Sequence, residues 1–294
     1  MHLDLTQPHI AMQTPDINNF LSMDSESFNR LSTYVTQEYG IKLPLSKKSM
    51  LESRLNKKVK SLGLHSYKEF LDFIFSDEGK QGELFNVIDL ITTNKTDFFR
   101  EAAHFHFLTK EFLPSYKNEL NRNNLKIWSA GCSTGEEPYT IIMTLEEYKK
   151  KNPETTYQLL ASDVSIRVIQ NAFQGIYDLE KIEPVPMELK RNYFLRSKVN
   201  PKLVRVKPQY RKKIQFKRIN FMNNQYGLLK EEFDVIFCRN VLIYFDKATQ
   251  ERVIQKFCSH LKPGGLLFLG HSESIIGMNL PLKQIRSTVY RFEG

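Results

Sequence analysis

The stretch KIWSAGCSTGEEPYTIIM, residues 126–143, decides the class of fold. It begins inside LKIWSA, Leu125 to Ala130, a short apolar run of the kind that makes a buried strand. The glycine loop Gly131–Gly135 follows, and a helix is predicted from about residue 136 to 151. Strand, glycine turn and helix in that order form the opening unit of a parallel α/β sheet. Two chemistries compete for this unit. GCSTG reads as G-x-S-x-G, the nucleophile elbow of a hydrolase. EEPY instead sets two carboxylates at the start of a helix.

Outward from this unit the alternation continues. YQLLASD predicts a second strand with an acid at its end, VSIRVIQNAF a helix, FDVIFC a third strand, and 247–261 another helix. KPGG is expected to turn into LLFLGHS, and STVYRF closes the chain. Such alternation implies a mostly parallel sheet with helices on both faces, and ligands then sit beyond the carboxyl ends of the strands. Residues 176–213 interrupt it with a basic segment containing LVRV, which alternates like a strand and reads as an inserted β-ribbon. Upstream, residues 24–92 look wholly helical. Phe28, Leu31 and Val35 recur at helical spacing, and Leu51, Leu55, Val59 and Leu62 share one face of a second helix. Ser66 can cap the next helix after the stop at Gly63, and a further helix is expected around 82–91.

The bulk numbers bound the answer. The 294 residues suit about two domains, and 41% hydrophobic, 12% aromatic and 26% charged residues are the composition of a globular chain. No apolar run reaches the roughly 20 residues that span a bilayer. Residues 1–22 are polar, carry Pro8 and Pro15, and lack a signal-peptide core, so they read as a disordered leader on a cytoplasmic protein. Cys132, Cys238 and Cys258 are scattered and odd in number, which fits a reducing compartment and neither a disulfide frame nor a zinc site; no metal ligand set is read. The net charge of +9 favours an acidic partner without choosing one.

The loop chemistry narrows the choice. Ser133 with His271 and Asp234 or Asp246 could make a triad in the order Ser, Asp, His. Glu136 and Glu137, however, lie beside the place where backbone N–H groups must stabilise an oxyanion, and their charges oppose it. GCSTG is neither G-x-G-x-x-G nor a P-loop. Its helix start, which would attract phosphate, already carries carboxylates that the helix dipole favours. Ser133 with Glu136, or Thr134 with Glu137, also fits a capping box. Two acids repel phosphate and welcome a cation. S-adenosylmethionine, with its sulfonium, ammonium and ribose, fits best, and Asp163 is placed to accept from the ribose hydroxyls.

Further segments occur in order: ITTNKTDFFRE (91–101), WSAGCSTGEEPY (128–139), ASD (161–163), FDVIFCRNVLIYFD (233–246), LKPGGLLFLGHSE (261–273) and the closing TVYRF. Together they resemble the chemotaxis receptor methyltransferases, the CheR family, from about residue 25 to the end. The resemblance implies an α/β fold: a Rossmann-like S-adenosylmethionine-dependent methyltransferase domain over 93–294, an inserted antiparallel β-subdomain at about 176–213, and a small all-helical N-terminal domain over 23–92 that docks receptors. It implies methyl transfer from S-adenosylmethionine, leaving S-adenosylhomocysteine, to glutamate side chains of methyl-accepting chemotaxis receptors. Carried over by motif, Asn94, Thr96 and Arg100 contact the cofactor, Glu137 and Asp163 hold its polar groups, and Asn220, Phe221, Arg239, Asn240 and Val241 flank the adenosine. Glu136 stays open as an alternative to Glu137 for the main contact. From the chemistry, Arg100 is the candidate to orient the substrate carboxylate, because a guanidinium binds such groups in a fork, and Tyr244 is the candidate to place its hydroxyl near the methyl.

Simpler readings stand beside these. Asn94 and Thr96 could cap a helix carrying Arg100, Asn240 could be an Asx-turn residue, Tyr244 could pack in the core, and His271 with Glu273 could be a surface turn without catalytic role. Lys47, Arg54 and Lys58, at offsets of 7 and 11, are expected on one exposed face of the second helix; a solvated face is the plain reading, and docking of acidic receptor helices is the favoured one. Arg54 matches the family's arginine there.

The rival functions are a methyltransferase of another acidic substrate such as RNA, and an adaptor built on an inactive methyltransferase fold. RNVLIYF lacks the prolines of base-amino methylating enzymes, and an intact glycine loop with Asp163 and Arg100 argues against decay. No nucleic-acid partner, no membrane insertion and a monomer are expected. One departure concerns a receptor tail. Family members that capture a C-terminal receptor pentapeptide as an added strand resemble one another in a glycine-rich loop before LVRV, whereas this chain has LRSKVNPK, residues 195–202, with no glycine and with Pro201. Independence of that tether is expected.

Overall fold

The structure, a computed structural model, describes residues 20–120, 124–227 and 232–294. The N-terminal helices are α1 (Ser25–Tyr39), α2 (Lys48–Ser61), α3 (Tyr67–Ile74), α4 (Asp77–Lys80) and α5 (Glu83–Ile91). Their starts follow from local chemistry: side-chain oxygens of Asp24, Ser66 and Ser76 accept the N–H groups of Ser27, Glu69 and Gly79, relieving donors that have no partner within the helix. Phe28, Leu31, Val35, Leu51, Leu55 and Val59 meet in one core with Tyr67, Phe70, Ile74 and Val87, as the spacing predicts. Most of the expected leader lies outside the described residues, but its last residues are pinned. Leu21 exchanges hydrogen bonds with Asn56 (3.0 and 2.8 Å), and Ser22 and Met23 donate to Glu52.

The chain continues through α6 (Ala103–Phe107), a π-helical turn (Leu108–Phe112) and α7 (Leu113–Leu120), a helical run the sequence reading did not place. Ten strands follow: β1 (Asn124–Ala130), β2 (Thr156–Asp163), β3 (Ile176–Asp178), β4 (Phe194–Arg196), β5 (Leu203–Val206), β6 (Ile214–Arg218), β7 (Phe233–Cys238), β8 (Leu261–Leu269), β9 (Leu282–Arg286) and β10 (Val289–Phe292). The remaining helices are α8 (Glu136–Lys149), α9 (Ile166–Gln174), α10 (Met187–Tyr193), α11 (Pro208–Arg211) and α12 (Lys247–Cys258).

Seven strands make one sheet in the order β6-β2-β1-β7-β8-β10-β9. The first five pair in parallel, and β10 runs antiparallel to both β8 and β9. All six residues of β7 are buried, as a central strand covered on both faces requires. The chain leaves β1 toward β2 and β6 and later returns on its other side as β7. The carboxyl ends of β1 and β7 therefore flank a switch point, where an open α/β sheet leaves a crevice. KPGG is not a turn: β8 begins at Leu261 and runs through it, with a register shift against β7. The insertion is a separate three-stranded antiparallel sheet, β3-β5-β4, with LVRV as its central strand.

The basic face expected on α2 does not exist as drawn. Arg54 turns inward, and its Nη1 donates to the carbonyls of Leu90, Ile91 and Thr92 (3.4, 2.9 and 3.0 Å), capping the carboxyl end of α5. Lys58 pairs with Glu83 at 2.5 Å. Lys47 lies before α2, half-buried, with its ammonium 5.6 Å from the centre of the Tyr244 ring. An exposed ion pair contributes about 0–1 kcal/mol, whereas orphan helix carbonyls need donors, so the inward conformation of Arg54 wins. The exposed lysines of α2 are Lys57 and Lys60.

Candidate functional site

The glycine loop wraps the end of β2. Gly131 and Cys132 both donate to the Ser162 carbonyl at 2.8 Å, and Ser133 N–H donates to Asp163 Oδ2 at 2.9 Å. The path requires left-handed backbone at Gly131, Ser133 and Gly135 (φ 88°, 48° and 99°). A Cβ at Gly131 would come within 2.4 Å of Val241, so this glycine lets two loops touch. Gly135 caps α8 with no side-chain bond, so neither capping box forms. Thr134 instead donates to Glu136, and Ser133 Oγ donates to the Asn94 carbonyl at 2.9 Å.

The two glutamates part company. Glu136 is buried on the side of Lys181, 3.8 Å away, and does not reach the cleft. Glu137 lines the cleft, accepts from Ser129 Oγ at 2.7 Å, and lies 3.4 Å from Arg239 Nη1. Burial pushes the Glu137 carboxyl above its usual range, opposed by the Arg239 guanidinium and the Ser129 hydroxyl. Asp163, also on the cleft, is raised by burial too, although Ser165 and Ser133 N–H groups hold its ionised form. Glu137 and Asp163 thus give the cleft two carboxylates that can accept from a cationic or hydroxyl-bearing ligand.

The cleft encloses about 1140 Å³ of free space out to its mouth. Every residue assigned to the cofactor lines it: Asn94, Thr96, Arg100, Glu137, Asp163, Asn220, Phe221, Arg239, Asn240 and Val241, with Tyr244 and Lys47. Arg54 and Lys58 do not. The N-terminal domain and its linker roof the space with Tyr39, Ile41, Leu43 and Met50. Arg100 sits in a turn between Phe99 and Glu101, both left-handed (φ 55° and 54°), so no helix there awaits a cap from Asn94 or Thr96. The Arg239 guanidinium is clamped by Glu101 (3.3 Å), Glu137 and the Arg100 carbonyl, so it braces the cleft wall. Asn220 is similarly occupied, donating to the Glu38 carbonyl at 2.7 Å and accepting from Met222 N–H.

Glu273, expected in a surface turn, is buried beneath the RNVL loop. Its carboxylate accepts from the N–H groups of Gly270 (2.6 Å), Asn240 (2.9 Å) and Leu242 (2.7 Å). This bracket holds Asn240 left-handed (φ 60°) at the cleft. The only sequence signal was an acid soon after a buried strand at the switch-point end. Glu101 was quoted inside a motif, yet its role in seating Arg239 was missed as well.

The serine-nucleophile reading fails on geometry, because Ser133 Oγ is spent on a backbone carbonyl. Among the described residues no histidine lines the cleft, so no base of that type is at hand. A Rossmann-like sheet, a glycine loop after β1, and carboxylates at Glu137 and Asp163 with apolar walls define an S-adenosylmethionine-dependent methyltransferase.

Comparison with known proteins carries this to a family. Residues 94–291 match the CheR methyltransferase, SAM binding domain, and residues 26–92 match the CheR methyltransferase, all-alpha domain. A chemotaxis protein methyltransferase of Borreliella burgdorferi is 39% identical over 92% of this chain and 95% of its own. Chemotaxis protein methyltransferase 2 of Pseudomonas aeruginosa is 37% identical (90% and 92% covered), and the Escherichia coli protein 36% (92% of each). The chain belongs to the CheR methyltransferase family, and its cofactor is S-adenosylmethionine.

Proposed function

We propose that this protein esterifies glutamate side chains in the cytoplasmic helical bundle of methyl-accepting chemotaxis receptors. The observation that carries the reading is a cleft lined by the buried Asp163 and the partly buried Glu137, in a chain that matches chemotaxis methyltransferases over nine-tenths of its length. The donor set suits the cofactor: Asp163 would accept from the ribose hydroxyls, Glu137 would hold the cationic end, and Phe221 and Val241 would flank the adenine. Bound S-adenosylmethionine supplies an electrophilic methyl on a sulfonium. A glutamate nucleophile is already ionised at neutral pH, with a reference pKa of about 4.3, so this chain needs no general base. Its residues supply alignment and dryness instead. Arg100, whose Nη1 donates to the Lys95 carbonyl at 3.2 Å, would offer its remaining N–H groups to the incoming carboxylate, and Tyr244 lines the same cleft.

In this reading residues 23–92 dock the receptor and 93–294 perform the transfer, with the sheet of 176–213 as an accessory. Docking falls to Lys57 and Lys60, which are solvent-exposed, and to Lys47 at the mouth of the cleft. In this reading the protein works as a monomer in the cytoplasm. Among the described residues no helix is long and apolar enough to cross a membrane. Kinetics separate the two roles. Arg100→Ala should lower kcat for receptor methylation about tenfold, the loss of one charge-assisted contact. Charge reversal at Lys57 and Lys60 should raise KM for receptor, more so at low salt. Reversal without effect on KM would remove α2 from the docking surface.

Independence of a receptor tail has support in the turn itself. Asn200 N–H donates to Ser197 Oγ, Lys202 N–H to Asn200 Oδ1, and Arg196 to the Pro201 carbonyl, so the turn beside edge strand β4 is closed on its own side chains. Calorimetric titration with an aromatic-acidic tail pentapeptide should give no saturable binding. A Kd in the low micromolar range, about −8 kcal/mol, would contradict this.

A further inference from the structure

Behind the cleft wall formed by Arg100 and Arg239, a buried histidine has been left with an empty acceptor. Thr288 Oγ1 donates its single hydrogen to the Ser287 carbonyl at 2.7 Å. With that hydrogen turned to Ser287, the 2.9 Å contact between Thr288 Oγ1 and His104 Nε2 is a donation from the ring. In that tautomer Nδ1 carries a lone pair, and Nδ1 has no hydrogen-bond partner although His104 is only 3% exposed. Nδ1 faces another acceptor, Glu101 Oε2, at 3.6 Å. Two acceptors aimed at each other in a buried place repel unless a cation or a donor lies between them, and a buried group left unsatisfied costs about 1–3 kcal/mol.

A third ligand stands at the same point. Ligand atoms of Glu101, His104 and His271 all fall within 4.8 Å of one another. The His271 ring meets the His104 ring edge-on at 5.6 Å, and His271 is exposed, so it can swing inward and leave a route from solvent. We propose that Glu101, His104 and His271 bind one divalent transition-metal ion of the zinc type, with the fourth position open to water. Zinc bonds of about 2.0–2.1 Å in a tetrahedron place ligand atoms about 3.4 Å apart, close to the His104–Glu101 spacing. Two imidazoles and a carboxylate suit zinc, cobalt or nickel better than calcium or magnesium.

The outer contacts that such sites need are already built. Metal-binding histidines donate their other N–H to a fixed acceptor, and ligating carboxylates are themselves hydrogen-bonded. Here His104 donates to Thr288, while the Glu101 carboxylate is held by His271 N–H (3.1 Å) and Arg239 Nε (3.3 Å). The ion would tie α6 to the segment after β8. It would also pin Glu101, whose left-handed backbone closes the turn that presents Arg100. Left-handed non-glycine residues cost on the order of 1–3 kcal/mol each, so a tether at Glu101 helps to hold that turn.

The test uses the full, untagged chain freed of metal with a chelator. Zn²⁺ is titrated calorimetrically, and Co²⁺ is followed by its visible absorption. One ion per chain and the intense bands of four-coordinate Co²⁺ are expected. His271→Ala, at an exposed position that leaves the core intact, should abolish those bands and weaken Zn²⁺ binding at least about tenfold. No saturable binding, or equal binding in His271→Ala, would overturn the proposal and leave the gap to water. Neither readout depends on methyl transfer, so failure here leaves the methyltransferase reading untouched.

Discussion

Asp163→Ala is expected to weaken binding of S-adenosylmethionine and S-adenosylhomocysteine by roughly 10- to 150-fold, the counterpart of about 1.5–3 kcal/mol for hydrogen bonds to a charged group. Two causes act together. The variant removes the acceptor facing the ribose, and it releases the Ser133 and Ser165 N–H groups that shape the glycine loop. Asp163→Asn keeps the shape and one acceptor, so it should fall between wild type and alanine. The pH dependence has a definite sign. Burial raises the Asp163 and Glu137 carboxyls in the free protein, and a cationic ligand favours their ionised form. Affinity should therefore be full above those raised pKa values and decline as the pH falls through them. S-adenosylhomocysteine, which lacks the sulfonium charge, should show the shallower decline. Calorimetry reads all of this, and unchanged affinity in Asp163→Ala would remove that residue from the site.

Glu273→Ala should be at least as damaging, and by a route that touches no ligand. The substitution strands the N–H groups of Gly270, Asn240 and Leu242, each worth about 1–3 kcal/mol when buried without a partner. Water entering the gap will offset part of this, so a net loss of several kcal/mol in urea-unfolding stability is expected. The RNVL loop should also lose its shape, raising KM for S-adenosylmethionine in whatever fraction folds. Glu273→Gln retains one acceptor oxygen and should cost about 1–3 kcal/mol with a smaller rise in KM. Wild-type stability and KM in both variants would show that the loop holds itself.

The difference between what could and could not be read from the sequence is one of range. The strand–loop–helix unit around Gly131, the acid ending β2 and the apolar run of β7 are local patterns, and the structure places them as expected. The edge strands β6 and β9, IQFKR and LKQIR, were missed because each is only five residues long, basic and largely unburied, too short for a pattern to stand out. Arg54 looked like a solvated charge because the carbonyls it caps lie 36 to 38 residues away. Glu101 and Glu273 take their meaning from partners on other segments: His271 is 170 residues from Glu101, and Arg239 is 138. A buried carboxylate that brackets backbone N–H groups leaves no periodic trace. That Glu137 and not Glu136 lines the cleft follows from the turn of α8, which the sequence does not display.

The central claim is that this chain forms glutamate methyl esters on chemoreceptors. The most direct measurement is peptide mass spectrometry of a receptor cytoplasmic domain incubated with the protein and S-adenosylmethionine. Methyl groups on receptor glutamates that are lost in mild base are expected, and they should be absent with Asp163→Ala at cofactor concentrations that saturate only the wild type. An unmodified receptor, or base-stable methyl groups on lysine or on added RNA instead, would contradict the account.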